Sequence, residues 1–378
     1  MLLKNARLLN DSFAWQTGDL KIENGRIAAI GGGLPPEPES IDCAGCTVTP
    51  GLIDIHTHGA DGVDYSAAPS AAELTRALRL EARQGVTTIL PTAMTAPEPV
   101  LAAALDAVRT YLTAPDADAA WVPGVHLEGP FINPAKCGAQ PSEWISAPDV
   151  SMLQRLSPDG LVRLMAIAPE MDGATDCIRA LHDRCTLSMG HTAADYETAC
   201  AALAAGASAA THLYNGMADA AHRAPGVPGA IFDHPDATAE LICDGLHVHP
   251  TVIRATFRLL RGRVALISDS LNLTGKPEGS RGADIAGHAI TIRGGRCVLD
   301  DGTIAGSCVT LAECVRRAIA FGVPDTDVFA AATVTPARVV RLDGETGSLT
   351  VGKRADVVVW RDGTPAHVFV GGHRVAET

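Results

Sequence analysis

The chain has no surplus of positive charge. Its 30 Lys and Arg stand against 43 Asp and Glu, a formal net charge of −13. A general nucleic-acid or anionic-membrane binder needs cations to neutralise phosphates, so both classes are set aside. No uncharged apolar run reaches the length of a membrane span. The opening MLLKNARLLNDSF lacks the apolar core and cleavage site of a secretory leader, which sets the expectation of a cytoplasmic protein. Cys43 and Cys46 have CxxC spacing, but no second pair follows at a zinc-ribbon distance. The remaining cysteines are scattered, several within apolar runs where a thiol behaves as a small core residue. Linkers, repeat arrays and low-complexity tracts are also missing.

What is present is enough apolar sequence for a large domain and a small one: 378 residues, 47% hydrophobic. Residues 1–50 read as short strands and turns, with Asn24-Gly25 a strong hairpin signal. Residues 343–378 read the same way, so the two ends are expected to pair into one small β-sandwich domain. Residues 51–342 alternate. Apolar, β-branched runs at 51–55, 86–90, 122–127, 162–168, 186–189, 207–211, 239–242 and 264–268 are separated by stretches of helical period such as AAELTRALRLEARQ and DYETACAALAAG. This pattern predicts an α/β fold, a catalytic (β/α)8 TIM-like barrel. A doubly wound open sheet would want a Gly-rich fingerprint after its first strand, and GLIDIHTHG is not one.

Residues able to bind metal recur just after these strands. Strand one ends in His56-Thr57-His58, strand three in HLEGP with Glu128, strand five in Gly190-His191-Thr192 and strand six in THLYN with His212. Strand seven ends in Asp244-Gly245-Leu246-His247 and strand eight in Ser268-Asp269-Ser270. Singly, each has an ordinary structural explanation, since a lone His after a strand is most often just hydrogen-bonded. Together they fall on the one rim where a (β/α)8 barrel carries its active site, and that repetition points to a metal centre. Imidazoles with one or two carboxylates suit Zn, Fe, Mn or Co, whereas Ca or Mg sites are built mostly from oxygen. His/carboxylate sets of this kind are catalytic rather than structural, because they leave a position open for water.

At these residues the chain resembles the amidohydrolase superfamily and, within it, the N-acetylglucosamine-6-phosphate deacetylase family. The matching stretches are PGLIDIHTHG (50–59), GVHLEGPFINPAKCGAQPSEWI (124–145), IAPE (167–170), SMGHT (188–192), THLYNGM (211–217), HRAPGVPGA (222–230), CDGLHVHP (243–250), ISDS (267–270) and DGTIAGS (301–307). They run in family order through the barrel. The resemblance implies hydrolysis of the acetamide of an amino-sugar 6-phosphate with a divalent metal, Zn or Fe foremost, at one or two ions per subunit. Glu128, His191 and His212 would hold the principal ion, and His56 and His58 a second one shared through Glu128. Asp269 would move the proton between water and the departing amine, and His247 would orient the sugar and support the developing oxyanion. Recognition would fall to Ala139, Gln140, Asn215, Gly216, Arg223, His247 and a loop of Ile304, Ala305 and Gly306. In the family the equivalent of Arg223 reaches the phosphate from a neighbouring subunit, which implies a homodimer.

Many binuclear members of the superfamily bridge two metals with a carbamylated lysine on strand four. Here that strand reads VRLMAIAPE, and the only lysines are Lys4, Lys21, Lys136, Lys276 and Lys353. Glu128 is then the bridging candidate. Three departures touch the substrate region. Gln140 stands where some relatives have His, Arg223-Ala224-Pro225-Gly226 replaces the usual REPG, and SLNLTGKPEG after Asp269 finds no match. The alternatives are a deacetylase of N-acetylgalactosamine 6-phosphate or an unphosphorylated sugar, and a non-catalytic barrel scaffold. The scaffold would be expected to have lost its ligands, and this chain keeps them.

Overall fold

The computed structural model describes residues 1–376. A parallel strand enclosed by helices is buried on both faces and so reads as a continuous apolar run. The eight runs form such strands: β1 (Leu52–Thr57), β2 (Val86–Met94), β3 (Val125–Glu128), β4 (Val162–Ile167), β5 (Thr186–Met189), β6 (Ala209–Ala210), β7 (Thr238–Ile242) and β8 (Val264–Ile267). They pair in parallel in sequence order. Beyond the ends of β8 and β1 the ring is joined by backbone bonds: Asp269 N donates to His56 O at 3.0 Å and His58 N to Ser270 O at 2.7 Å. The expected barrel is therefore present, and its closing seam runs through site residues.

The shell consists of α1 (Ala71–Arg83), α2 (Glu98–Leu112), α3 (Val150–Leu156), α4 (Ala174–Leu181), α5 (Tyr196–Ala205), α6 (Gly226–Asp233), α7 (Pro250–Leu259) and α8 (Leu311–Ala320). Two more helices, α9 (Asp325–Ala332) and α10 (Val334–Val339), lead back to the small domain. α1 shows why such segments are helical. Ser70 and Glu73 form a reciprocal capping box, and Leu74, Ala77, Leu78, Glu81 and Ala82 fall on one buried face.

The terminal segments join in one eight-stranded sheet, with Thr47–Pro50 antiparallel to Val357–Arg361 in the middle. The hairpin that turns at Asn24-Gly25 also bonds to the C-terminal segment: Ile27 N donates to Lys353 O and Ala355 N to Gly25 O, each at 2.9 Å. The enclosed core includes Leu3, Leu8, Ile22, Val357 and Phe369, with Cys43 and Cys46 buried inside it. That burial accounts for the CxxC spacing as packing.

The unmatched stretch after Asp269 leads into a feature not expected from the pattern. A four-stranded antiparallel sheet (Arg281–Ala283, Ala289–Arg293, Arg296–Leu299 and Ile304–Ser307) is inserted between β8 and α8. Its central hairpin turns on Gly294 and Gly295, at φ 60° and 75°, as a two-residue turn of this hand requires. The anticipated loop of Ile304, Ala305 and Gly306 is thus a strand, held by pairing with Arg296–Leu299.

Glu81 is the exception on the buried face of α1. Neither of its carboxylate oxygens has a hydrogen-bond partner, and burial pushes its pKa up from 4.5 to about 8. The folded state then holds a proton that the unfolded chain releases. This contribution to stability is complete below 4.5 and is lost as pH rises to about 8. Glu81→Met should therefore stabilise the protein by about 1–3 kcal/mol at pH 8, with the gain shrinking towards pH 5. Denaturant unfolding at the two pH values checks this, and an equal gain at both would refute it.

Candidate metal centre and active site

β1 places Asp54, His56 and His58 two residues apart, so their side chains leave the backbone on one side. Each of the first two has a fixed task. Asp54 Oδ1 accepts from His56 N at 3.3 Å and from Ser268 N at 3.4 Å, which ties β1 to β8. His56 sets its Nδ1 3.0 Å from Glu240 Oε2 and directs Nε2 to the centre of the rim. His191, after β5, donates Nδ1–H to the Lys136 carbonyl at 2.9 Å and turns its Nε2 to the same centre. These outer contacts select the ring nitrogen that faces a metal.

Glu128, at the end of β3, is the hub. Its Oε1 lies 2.9 Å from His212 Nε2, 3.0 Å from His191 Nε2 and 3.3 Å from His56 Nε2. Its Oε2 lies 3.2 Å from His58 Nε2. The Nε2 atoms of His56 and His58 are 3.2 Å apart, and those of His191 and His212 3.1 Å. Unprotonated ring nitrogens this close repel unless a cation lies between them, and ligands about 2.0–2.1 Å from a tetrahedral ion would stand roughly 3.3 Å apart. Two overlapping donor sets result, His56/His58/Glu128 and Glu128/His191/His212. Imidazole and carboxylate donors at such spacing fit a divalent transition metal. His58 Nδ1 and His212 Nδ1 are buried without partners.

The charges are mutually supporting. Burial pushes the Glu128 carboxyl up, but the imidazoles of His56 and His191 outweigh it and hold the group well below the usual carboxylate range. Asp269, after β8, lies 3.4 Å from the Nε2 atoms of both His56 and His58. Burial also opposes its ionisation, and the same two rings overcome it and lower its pKa. For His58, burial favours the neutral ring, yet Asp269 and Glu128 raise its pKa to about 9. His126 stacks edge-on against His56 at 4.5 Å, and burial together with His56 drives its pKa well down. It is a neutral packing partner.

The site also concentrates backbone strain. His191, His212 and Asp269 adopt φ of 46°, 30° and 49°, a region that non-glycine residues occupy at a cost. Compensating bonds surround them. Glu170 accepts from Asn133 Nδ2 at 2.7 Å and from Thr192 Oγ1 and Ala193 N at 2.5 Å, which fixes the turn after His191. Glu240 Oε2 accepts from His212 N at 3.3 Å.

The candidate metal donors open into a cleft of ≈ 340 Å³. Ala139, Gln140, Asn215, Gly216, His247, Ile304, Ala305 and Gly306 line it, together with Asp269 and the unforeseen Met94 and Tyr214. Gln140 is more committed than a substrate contact need be: Oε1 accepts from Thr95 N at 2.8 Å, and Nε2 donates to Glu128 Oε2. Arg223 is exposed and does not line the cleft of its own chain. Sequence reasoning passed over Glu240, although an acid inside the apolar run TAELI was a visible signal. It could not have found the Lys136 carbonyl, a backbone atom.

The amidohydrolase family model matches residues 47–375. N-acetylglucosamine-6-phosphate deacetylase of Bacillus subtilis is 35% identical over 95% of this chain and 92% of its own. N-acetylgalactosamine-6-phosphate deacetylase of Escherichia coli O157:H7 is also 35% identical, over 96% of this chain and 95% of its own. Among solved structures, a mutant of N-acetyl-D-glucosamine-6-phosphate deacetylase from Mycobacterium smegmatis, in complex with N-acetyl-D-glucosamine-6-phosphate, superposes with a TM-score of 0.91 at 31% identity. That match covers 100% of this chain and 99% of the other.

Gly216 offers a direct test of the centre. At φ 59°, a Cβ there would stand 3.1 Å from His191 Nδ1 and 3.3 Å from His212 Cε1. Gly216→Ala should therefore displace both rings and weaken metal binding about 10–100-fold, the range seen when outer contacts of metal ligands are disturbed. Competition with a chelator measures this, and unchanged affinity would show that the rings tolerate the added methyl.

Proposed function

The chain belongs to the amidohydrolase family, and from that premise we propose that it hydrolyses the acetamide of N-acetyl-D-glucosamine 6-phosphate to D-glucosamine 6-phosphate and acetate. The observation that carries this reading is Asp269, 3.4 Å from both first-strand imidazoles at the edge of the Glu128 cluster, facing a cleft of sugar-phosphate size. The relatives' names supply the substrate. Glu128, His191 and His212 would hold the principal ion, and His56 and His58, with Glu128, a second. Zn or Fe fits these donors. A cation bound there supplies a Lewis acid that polarises the amide carbonyl and acidifies water.

Asp269 is ionised and can accept the proton of the attacking water at its carboxylate, then return it to the amine nitrogen as the C–N bond breaks. Asn215, Gly216, Ala139, Gln140 and the strand Ile304–Ser307 form the walls that orient the sugar. His247 serves the acetamide oxygen. Arg223, exposed and free of its own cleft, would reach the phosphate in a neighbouring subunit, which makes the working form a homodimer. Residues 1–50 and 343–378 act as the supporting domain and 51–342 as the catalytic one. Ten cysteines with no disulfide fit a reducing compartment, the cytoplasm.

One further substrate is favoured by a specific observation, the equal identity to a galactosamine-series relative. The deciding experiment is acetate release by the metal-reconstituted protein from both epimers, with and without 6-phosphate. The glucosamine 6-phosphate series should give the highest kcat/KM, and preference for the other epimer or for an unphosphorylated sugar would overturn the assignment.

Two variants test the roles. Asp269→Asn should keep metal and substrate binding and lose about 100-fold or more in kcat, because only proton transfer is removed. Unchanged turnover would take Asp269 out of the mechanism. Arg223→Ala should raise KM for the phosphorylated sugar alone. An equal rise with an unphosphorylated analogue would contradict a phosphate contact.

A further inference from the structure

Behind His247 lies a further buried carboxylate, Asp244, which neither the metal set nor the proton-transfer step uses. Its Oδ2 is 2.6 Å from His247 Nδ1, and its Oδ1 accepts from the backbone N–H groups of Leu246 and His247, each at 2.8 Å. The Asp244 side chain is 0% exposed and that of His247 6%. The backbone that carries this carboxylate is anchored as well: Arg317 of α8 donates to the Asp244 main-chain carbonyl at 2.8 Å and is itself held by Glu313 Oε1 at 2.8 Å. On the opposite side of the ring, His247 Nε2 is buried without a partner while the residue lines the cleft.

An ionised carboxylate at 2.6 Å from a ring nitrogen requires a proton on that nitrogen. We propose that Asp244 is a positioning residue for His247, fixing the Nδ1 proton and the ring plane so that Nε2 is the atom offered to the acetamide oxygen. This rests on the deacetylase reading. To donate to an oxygen that gains negative charge, Nε2 must carry a proton as well. Burial disfavours the charged ring, but the hydrogen bond and charge of Asp244 outweigh it, with Asp269 adding and Arg296 opposing. Asp244 thereby holds the donor aligned where charge develops. Without it, the ring would lose both its orientation and its counter-charge.

The test combines kinetics with ring-proton NMR. Asp244→Asn should lower kcat about 100-fold, with KM for the acetamido sugar phosphate within about threefold and metal content unchanged. Adding Asp244→Asn to His247→Gln should cost nothing further, since the two act as a unit. In the resting enzyme labelled with 15N-histidine, one strongly deshielded Nδ1 proton should vanish in His247→Gln and in Asp244→Asn. Unchanged kcat in Asp244→Asn, a fully additive double variant, or no such proton in the parent enzyme would each overturn the proposal. The comparison of parent and His247→Gln spectra needs no turnover and no Asp244 variant, so a missing Nδ1 proton still overturns the proposal if the substrate is misassigned or Asp244→Asn does not fold. Absence of acetate release by the parent would fall on the deacetylase reading alone.

Discussion

One buried carboxylate, shared by four imidazoles, is the constraint on which the molecule depends. Glu128 is 2% exposed, and an unpaired charge there would cost several kcal/mol. Its partners come from β1 and from the turns after β5 and β6, far apart in sequence. Only a closed ring of parallel strands brings those ends within hydrogen-bond distance of one carboxyl group. The barrel is thus also an electrostatic device, since opening one seam would leave the carboxylate or its imidazoles uncompensated. The join of β8 to β1 is where this is most evident, because the backbone bond from Asp269 N to His56 O closes the ring and sets the Asp269 carboxylate beside the His56 imidazole.

Such convergence is bought with backbone strain at His191, His212 and Asp269, and the surrounding bonds show how it is contained. Glu170 pins the turn after His191 from three donors, and Glu240 holds both the His56 ring and the His212 backbone. Rigid, over-determined ligands suit a site whose donors must not rearrange when a proton or an ion arrives. This also explains why buried acids are frequent around the rim. Each of them orients a ring or a turn through a hydrogen bond that an apolar side chain could not make.

Much of this was legible beforehand because strand parity and barrel geometry are simple. A His-x-His at the end of an apolar run shares one face, and runs that alternate with helices must present their ends on one rim. That Glu128, His56, His58, His191, His212 and Asp269 gather on one rim follows from those two rules, while the role expected of each comes from the family resemblance. Less was legible wherever the determinant was not a periodic side chain. The inserted sheet has strands of three to five residues broken by glycines, so its last strand reads as a loop, even though Gly294-Gly295 marked the turn. Gln140 stood in the expected stretch, but its bond to Glu128 arises from folding of the loop over the rim. Arg223 is exposed and away from the cleft of its own chain, so its part rests on the family resemblance and not on any periodic pattern.

That inserted sheet bears on how such a site can change substrate. Loops on a barrel rim usually vary independently of the strands that hold the chemistry. Here the strand Ile304–Ser307 is stitched to the turn bearing Asp269: Ser307 N donates to Asp269 O at 2.8 Å, and Leu271 N donates to Ser307 O at 3.0 Å. Ser307 Oγ also donates to Ser268 O at 2.6 Å. A shift of this cleft wall would therefore pull on the strained backbone of Asp269. The proposed recognition and proton transfer would then share one hydrogen-bonded unit, and substitutions that widen the cleft at Ile304 or Ala305 would act on kcat as well as on KM. The turn that carries Ala139 is anchored in a comparable way to the Glu128 cluster, since Gln140 Nε2 donates to Glu128 Oε2 and the Lys136 carbonyl accepts from His191 Nδ1, so neither lining segment moves independently of the site.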